Sequence, residues 1–367
     1  MRVLNISNDY DYSNVYSCLQ KALIDSGVDS YFFVPTCLNF HKKIANDKII
    51  YAPSFRKADR LLYFRKQSKI YNKFKPVIEI LKPDLLHGCF VFSNGYLCLR
   101  AKRELDIPYV VSVQNTDVNV FFKYMIYLRK LGVKILLNAE RIVFISPQYR
   151  DFVVNKYIAP KDKDILLQKS VILPFALDEF WINHLVNKPQ KSAIKHINIL
   201  CVGTIEKNKN QANLAEAIAI LRNHGYDISL TLVGTVVDKH YSKKLDSYSF
   251  ITNIGKLSKE KLIEEYRKAN IFVLASHKES FGLVYAEALT QGLPIIYSRG
   301  QGFDGQFSEG YVGYHVESDS PDSIATGIIH ILENYSEISQ RCAEVSRRFA
   351  QKHIAEEYNN LYRDILT

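Results

Sequence analysis

Apolar runs and helical periodicity alternate twice along these 367 residues, which predicts an α/β protein of two doubly wound, parallel-sheet domains. Two further observations support that class. The length suits two domains rather than one. A polar stretch, Asn187-Lys188-Pro189-Gln190-Lys191-Ser192, separates two alternating blocks that share no internal repeat. An apolar fraction of 47% and a charged fraction of 23% supply enough apolar material for two cores and exclude a largely disordered chain.

In the first block, strands are expected near 2–7, 28–34, 84–90, 108–114, 141–146 and 170–174. Helices over 14–26, 93–105 and 119–137 are among the segments between them. The second block restarts with strands near 197–203, 228–234, 249–254, 270–275 and 294–298. Its helices fall near 210–224, 258–269, 281–291 and 321–334. This places one domain at 1–180, a second at 197–335, and a hinge at 176–196. An amphipathic helix or helix pair closes the chain over 336–367, where Ile338, Cys342, Val345, Phe349, Ile354, Tyr358 and Leu361 recur at three-to-five spacing. It forms a packing face, for which one location is back across the hinge.

No apolar run reaches the roughly 18 residues of a bilayer span. The chain opens directly on a strand-like segment, Met1-Arg2-Val3-Leu4-Asn5-Ile6, without a leader pattern. The six cysteines are scattered, none in a C-x-x-C pair, as expected for free thiols in a reducing compartment rather than a zinc ribbon or disulfide framework. The expectation is a cytoplasmic protein.

The net charge of +10 is concentrated in one half. Residues 1–180 hold 27 Lys/Arg against 17 Asp/Glu, whereas residues 181–367 hold 21 of each. The stretch 42–82 alone carries 12 basic and 3 acidic residues, interleaved with Tyr51, Phe55, Tyr63, Phe64, Tyr71 and Phe74. A solvated basic surface accounts for this, and so does peripheral docking on an anionic membrane face, to which each basic residue contributes about 1 kcal/mol. Nucleic acid is disfavoured, because no helix-turn-helix, zinc-finger or RNP-like pattern accompanies the charge.

Doubly wound domains bind ligands at the carboxyl ends of their strands, hence in the interdomain cleft of a two-domain chain. After the apolar strand Ile271-Phe272-Val273-Leu274-Ala275-Ser276, Glu279 falls in a strand-to-helix loop and Glu287 about two turns inside the following helix. The backbone N–H groups of Phe281, Gly282 and Leu283 open that helix, an arrangement that receives anions. Gly282 permits close approach to the backbone. Carboxylates on either side of an anion site suit a phosphate flanked by hydroxyls, as in a sugar nucleotide. The same spacing also fits a helix-start carboxylate and a solvated one.

The segment ESFGLVYAEALTQGLP at 279–294, with its Glu-x7-Glu spacing, resembles the signature of retaining GT-B glycosyltransferases of glycosyltransferase family 4. Further segments are similar to the family's motifs in order: PDLLH at 83–87, IPYVVSVQNTD at 107–117, ILPFALD at 172–178, VGTIEKNKNQ at 202–211 and NIGKL at 253–257. The resemblance implies a GT-B fold and transfer from a nucleotide diphosphate sugar, UDP-sugar favoured, to a glycan or lipid-linked glycan in cell-surface polysaccharide biosynthesis. It implies that Glu287 accepts hydrogen bonds from the ribose hydroxyls and that Phe281, Gly282 and Leu283 bind the diphosphate through N–H groups. Glu279 contacts the transferred sugar, Lys209 binds the diphosphate, and Ile254 lies beside the base. Gly203, Thr204 and Ser280 complete the implied donor site, and Gln114 stands with Glu279 and Lys209 in the catalytic set.

A diphosphate beside two carboxylates suffers repulsion of about 4 kcal/mol per charge pair at roughly 4 Å and an effective dielectric of about 20. A helix terminus offsets about 0.3–1 kcal/mol of it. No metal-ligand cluster is evident in the sequence, so no metal or other cofactor is expected and Lys209 is the neutralising cation. There are departures from the family pattern. Thr204 replaces its usual Arg, for which Lys207 or Arg299 would compensate. Gln114 replaces a His, and Ser7-Asn8-Asp9-Tyr10-Asp11-Tyr12-Ser13 replaces a Gly-Gly turn. His87 fits a structural role as well as a functional one. Gly300-Gln301-Gly302-Phe303-Asp304-Gly305 matches G-x-G-x-x-G but does not follow the first strand of a βαβ unit, so it reads as a glycine-rich loop near the donor rather than a dinucleotide fingerprint. Asp9-Tyr10-Asp11 matches a metal-binding D-x-D that belongs to the other glycosyltransferase fold. Two alternatives stay open: a sugar-nucleotide epimerase of GT-B fold, and a non-catalytic nucleotide- or glycan-binding subunit.

Overall fold

The computed structural model describes residues 1–11, 14–38, 47–186 and 195–367. Met1–Asp178 with Gln351–Thr367 form one compact unit, and Glu179–Ala350 form a second. Residues 187–194 of the expected hinge lie outside the described residues.

The first unit is built on seven strands: β1 (Arg2–Ile6), β2 (Asp29–Cys37), β3 (Ile49–Phe55), β4 (Leu85–Gly88), β5 (Tyr109–Val113), β6 (Arg141–Phe144) and β7 (Ser170–Ile172). They pair in parallel in the order β3-β2-β1-β4-β5-β6-β7. A parallel sheet has both faces covered, so its strands read as continuous apolar runs, and Val3, Leu4 and Ile6 are wholly buried. Strand β3 is absent from the sequence-based expectations. Pro53 interrupts its pattern, and proline is tolerated there because β3 is an edge strand. The helix expected over 119–137 is also different. The buried carboxylate of Asp117 accepts backbone hydrogen bonds from Val91 and Phe92, both at 3.1 Å, and from Gln114 at 3.0 Å. Tethered there, the chain makes a wide π-helical turn at Asp117–Phe122 and a 3₁₀ turn at Ile126–Leu128 before the α-helix Arg129–Asn138.

The second unit holds β8 (Ile197–Val202), β9 (Ile228–Val233), β10 (Ile251–Asn253), β11 (Ile271–Leu274), β12 (Ile295–Ser298) and β13 (Gly313–Val316). These also pair in parallel, in the order β10-β9-β8-β11-β12-β13. Strand β13 is a short addition to the expected set. The helix Pro321–Glu333 starts where its residues dictate: Ser320 caps it by accepting from the Ser323 N–H, and Pro321 supplies the helical φ.

The amphipathic tail divides between the units. Helix Tyr335–Val345 and turn Ser346–Phe349 stay in the second unit, where Ile338, Cys342 and Phe349 are fully buried. Helix Gln351–Leu366 belongs to the first. There Ile354, Tyr358 and Tyr362 share a core with Val3, Leu23 and Val110. The break comes at Ala350, whose extended backbone (φ −60°, ψ 139°) ends the preceding turn.

His87 is fixed by that last helix. Its Nδ1 pairs with the Tyr362 hydroxyl at 2.7 Å and its Nε2 with the Ser112 hydroxyl at 2.8 Å. A buried neutral imidazole is thereby satisfied at both nitrogens. Burial pushes its pKa down to about 3. In the unfolded chain the ring titrates near pH ~6.5. Its contribution to stability is therefore complete above that pH and is lost as pH falls toward the folded value, by up to about 1.4 kcal/mol per pH unit. Urea unfolding at a series of pH values between about 7 and about 4.5 should show a steeper loss in the wild type than in His87→Gln. Parallel curves would refute this role.

Candidate functional site

In the second sheet the strand order reverses between β8 and β11, so the loops leaving their carboxyl ends diverge and leave room for a ligand. Several contacts lace those two loops together. The His277 N–H donates to the Asn208 carbonyl at 2.9 Å, and Asn208 Nδ2 donates to the Lys278 carbonyl at 3.1 Å. Asn210, left-handed at φ +60°, donates from Nδ2 to the carbonyls of Ala275 at 2.9 Å and Ser318 at 2.6 Å. Asparagine tolerates that conformation better than most residues.

The lacing brings together two predicted residues that are 70 positions apart. Lys209, at the end of the turn Lys207–Lys209, donates from Nζ to Glu279 Oε2 at 2.6 Å. The side chains are 19% and 11% exposed, so the pair is largely withdrawn from water. Ser276 Oγ donates to the same oxygen at 3.3 Å, and the Ser280 N–H donates to Oε1 at 3.2 Å. Gly203 lies under the lysine stem: a Cβ there would sit 3.5–3.6 Å from its methylenes.

The helix after this loop starts later than expected, at Leu283, and runs to Thr290. Gly282 precedes it in the left-handed region at φ +75°, and a Cβ there would meet the Tyr285 ring at 2.4 Å. Phe281 therefore lies outside the helix, with its ring packed on Phe303 at 5.5 Å and Phe349 at 5.9 Å. Glu287 lies about one turn inside the helix, not two. It accepts from the buried Tyr266 hydroxyl at 3.0 Å, and burial first, then Glu287, raise the pKa of that phenol.

Thr204 turns away from any cationic role, donating from its hydroxyl to Glu206 Oε1 at 2.6 Å. Of the two compensating cations considered, Arg299 is paired with Glu317 at 2.6 Å and Lys207 is exposed. Ile254 follows β10, is 37% exposed, and donates its N–H to the Leu232 carbonyl at 3.0 Å. Gln114 belongs to the first unit, buried at the end of β5, whereas all the other predicted site residues belong to the second.

Sequence reasoning placed the glycine-rich loop near the donor but not its contact with Glu279. The Glu279 N–H donates to Gln301 Oε1 at 3.0 Å, and the Gly302 N–H donates to the Glu279 carbonyl at 3.2 Å. Gln301 and Gly302 lie in the G-x-G-x-x-G loop, whose pattern was the available signal. Gly302 is required for close approach, since a Cβ there would fall 1.5 Å from the Ser280 carbonyl oxygen. Among the described residues, no group of three His, Cys, Asp or Glu side chains is arranged to hold a metal ion.

Two family models match the chain: "Glycosyltransferase Family 4" over residues 15–165 and "Glycosyl transferases group 1" over 187–349. An uncharacterized glycosyltransferase of Methanocaldococcus jannaschii is 24% identical over 363 residues, covering 96% of this chain and 94% of the relative. The alpha-monoglucosyldiacylglycerol synthase of Streptococcus pneumoniae is 24% identical, covering 82% and 74%. Anabaena HepE, solved with UDP, superposes with a TM-score of 0.72 at 13% identity, covering 99% of this chain and 100% of its own.

Replacing Gly302 by Ala should force the glycine-rich loop off the Ser280 carbonyl. The expected cost is about 1–3 kcal/mol in urea unfolding, as for other overpacked positions. An unchanged midpoint would show that the loop yields freely.

Proposed function

This chain is a family 4 glycosyltransferase of GT-B fold, and from that premise we propose that it transfers a sugar, with retention, from a nucleotide diphosphate sugar to a glycan or lipid-linked glycan. The observation that carries the reading is the Lys209–Glu279 pair at the switch point of the second sheet. Lys209 supplies the fixed positive charge that the pyrophosphate requires, and Glu279 faces the transferred sugar. Backbone N–H groups around Gly282 receive the phosphates, and Glu287 receives the ribose hydroxyls. Anabaena HepE was solved with UDP and with UDP-glucose, which supports a UDP-sugar donor.

As the bond from the anomeric carbon to phosphate lengthens, negative charge grows on the leaving pyrophosphate. Lys209 meets that charge, and Glu279 holds the ammonium in place until it develops. The departing phosphate oxygen takes the proton of the attacking hydroxyl on the same face, which preserves the anomeric configuration. The reading assigns neutralisation to Lys209 and requires no metal. A role in cell-surface polysaccharide assembly, at the cytoplasmic face of a membrane, follows from the acceptor class.

A peripheral membrane location has support in the first unit. Leu61 is 86% exposed, and Leu62, Phe64, Tyr124, Ile126 and Tyr127 are all more than half exposed. Arg56, Lys57 and Arg65 accompany them on the basic stretch; Lys42 and Lys43 lie outside the described residues. No described helix is long and apolar enough to cross a membrane. The relative from Streptococcus pneumoniae is named for a lipid product, a glucosyldiacylglycerol.

Lys209→Ala should lower kcat/KM by about 10²–10³, with the fold retained by circular dichroism, and saturating EDTA should leave the wild-type rate unchanged. A Lys209→Ala rate within about threefold of wild type, or an EDTA loss that magnesium restores, would overturn the assignment. Anomeric NMR of the product tests retention. The pair Arg56→Gln and Lys57→Gln should weaken co-sedimentation with anionic vesicles by at least about tenfold, at about 1 kcal/mol per charge, and unchanged sedimentation would remove membrane docking.

A further inference from the structure

A buried phenol stands against the helix that carries Glu287. Tyr266 belongs to the helix Lys259–Lys268 and is wholly buried. Its hydroxyl donates to Glu287 Oε2 at 3.0 Å and lies 3.3 Å from the Val284 carbonyl oxygen. Val284 and Glu287 are three positions apart, hence neighbours on one helix face, so a single hydroxyl reaches both. The phenol has one proton, and an ionised acceptor holds it more strongly than a neutral one. Burial first, then Glu287, raise its pKa, so it remains a donor throughout the neutral range.

The ring is fixed as firmly as the hydroxyl. Trp181 meets it edge to face with ring centres 5.4 Å apart, and Phe272 of β11 packs against it at 5.9 Å. Trp181 is itself buried, in the short helix Glu179–Asn183. The neighbouring Arg267 donates from Nε to Gln291 Oε1 at 3.2 Å, just past the end of Leu283–Thr290. Two consecutive residues thus hold the Glu287 helix along its length. Packing alone needs no hydroxyl, since a phenylalanine would fill the same space between Trp181 and Phe272. The effect of the oxygen falls on the carboxylate. Glu287 is partly exposed. A glutamate side chain loses conformational freedom when a ligand fixes it, and a donor that fixes it beforehand lowers that cost of binding.

We infer that Tyr266 is a positioning residue for ribose recognition: its hydroxyl holds the Glu287 carboxylate in the orientation that receives the nucleotide's sugar hydroxyls, and Trp181 fixes its ring. This deepens the transfer reading above and rests on its assignment of Glu287. Loss of a positioning hydroxyl weakens only nucleotides that carry ribose hydroxyls, whereas loss of packing weakens all nucleotides alike.

Isothermal titration of the full chain tests it with UDP, GDP and ADP, and with the 2′,3′-dideoxy form of whichever binds tightest. The wild type should bind the ribose form at least roughly tenfold tighter than the dideoxy form. Tyr266→Phe should reduce that ratio to roughly threefold or less by weakening the ribose form, while dideoxy affinity stays within about twofold. In a Glu287→Gln background the same change should alter ribose-form affinity by less than about twofold, because the phenol acts through the carboxylate. Emission from Trp181, the chain's single tryptophan, reports whether the ring remains packed. Trp181→Phe keeps the hydroxyl but loosens its ring. It should lower the ratio by about threefold, and it decides the matter should Tyr266→Phe fold poorly. An unchanged ratio in Tyr266→Phe (or in Trp181→Phe where the first does not fold), or equal weakening of both nucleotide forms, would overturn the inference and leave the transfer reading in place. Equal binding of the two forms by the wild type, or no diphosphate bound below about 10 mM, would overturn the ribose assignment of Glu287 and the inference with it.

Discussion

The ligand end of the second unit depends on the hydrogen-bonded ion pair between Lys209 and Glu279, whose members come from the loops after β8 and β11. An ion pair this far withdrawn from water is a poor source of stability, because desolvating two charges offsets much of their attraction. It is held in place by the bonds around it: the Asn208 and Asn210 side chains that tie the loops, the Ser276 and Ser280 donors on the carboxylate, and the Gln301 and Gly302 contacts to the Glu279 backbone. Such scaffolding is what preorganisation requires, since charged groups already fixed in position need no costly rearrangement as a reaction proceeds. On the proposed reading, an arriving pyrophosphate competes with Glu279 for one ammonium. The Lys209–Glu279 pair is itself neutral before the donor arrives, and Glu287 adds a negative charge that the pyrophosphate must tolerate.

Both sheets place their polar residues at the same topological position, and the two units use it differently. In the second, cation and carboxylate touch. In the first, Lys66 and Arg60 stand near each other and near Asp9 without any such contact. The difference arises from where the cations originate. Lys209 reaches its partner from a tight turn locked by Asn210, while Lys66 rises from a long helix whose register is set by the buried Gln67, Ile70, Tyr71 and Phe74.

The strand–helix alternation was legible because parallel strands are apolar throughout, as Ile271–Leu274 illustrates, and because helices such as Pro321–Glu333 carry Ser and Pro at their starts. Local chemistry hid the exceptions. Pro53 disguised an edge strand, and Asp117 turned an expected helix start into a wide turn by accepting three distant or neighbouring N–H groups. Glu279 and Lys209 were legible as residue types in ordered motifs, but their contact was not, since nothing in the spacing says that loops 70 residues apart are stitched by asparagines. Gly282 was read as part of a helix because sequence does not reveal the sign of φ. The Gln301 contact rests on a close backbone approach that only a glycine next to it allows.

The last helix, Gln351–Leu366, supplies Ile354, Tyr358 and Tyr362 to the core that begins at Val3, so the first unit is discontinuous in the chain. During synthesis, the second unit is made entirely before that covering helix exists. Until then, the sheet face carrying Val3, Leu85 and Val110 lacks part of its apolar cover, and His87 lacks its Tyr362 partner. The nascent first unit is thus an incomplete hydrophobic surface that must be kept from premature association, and its final consolidation waits until the helix Gln351–Leu366 has been made.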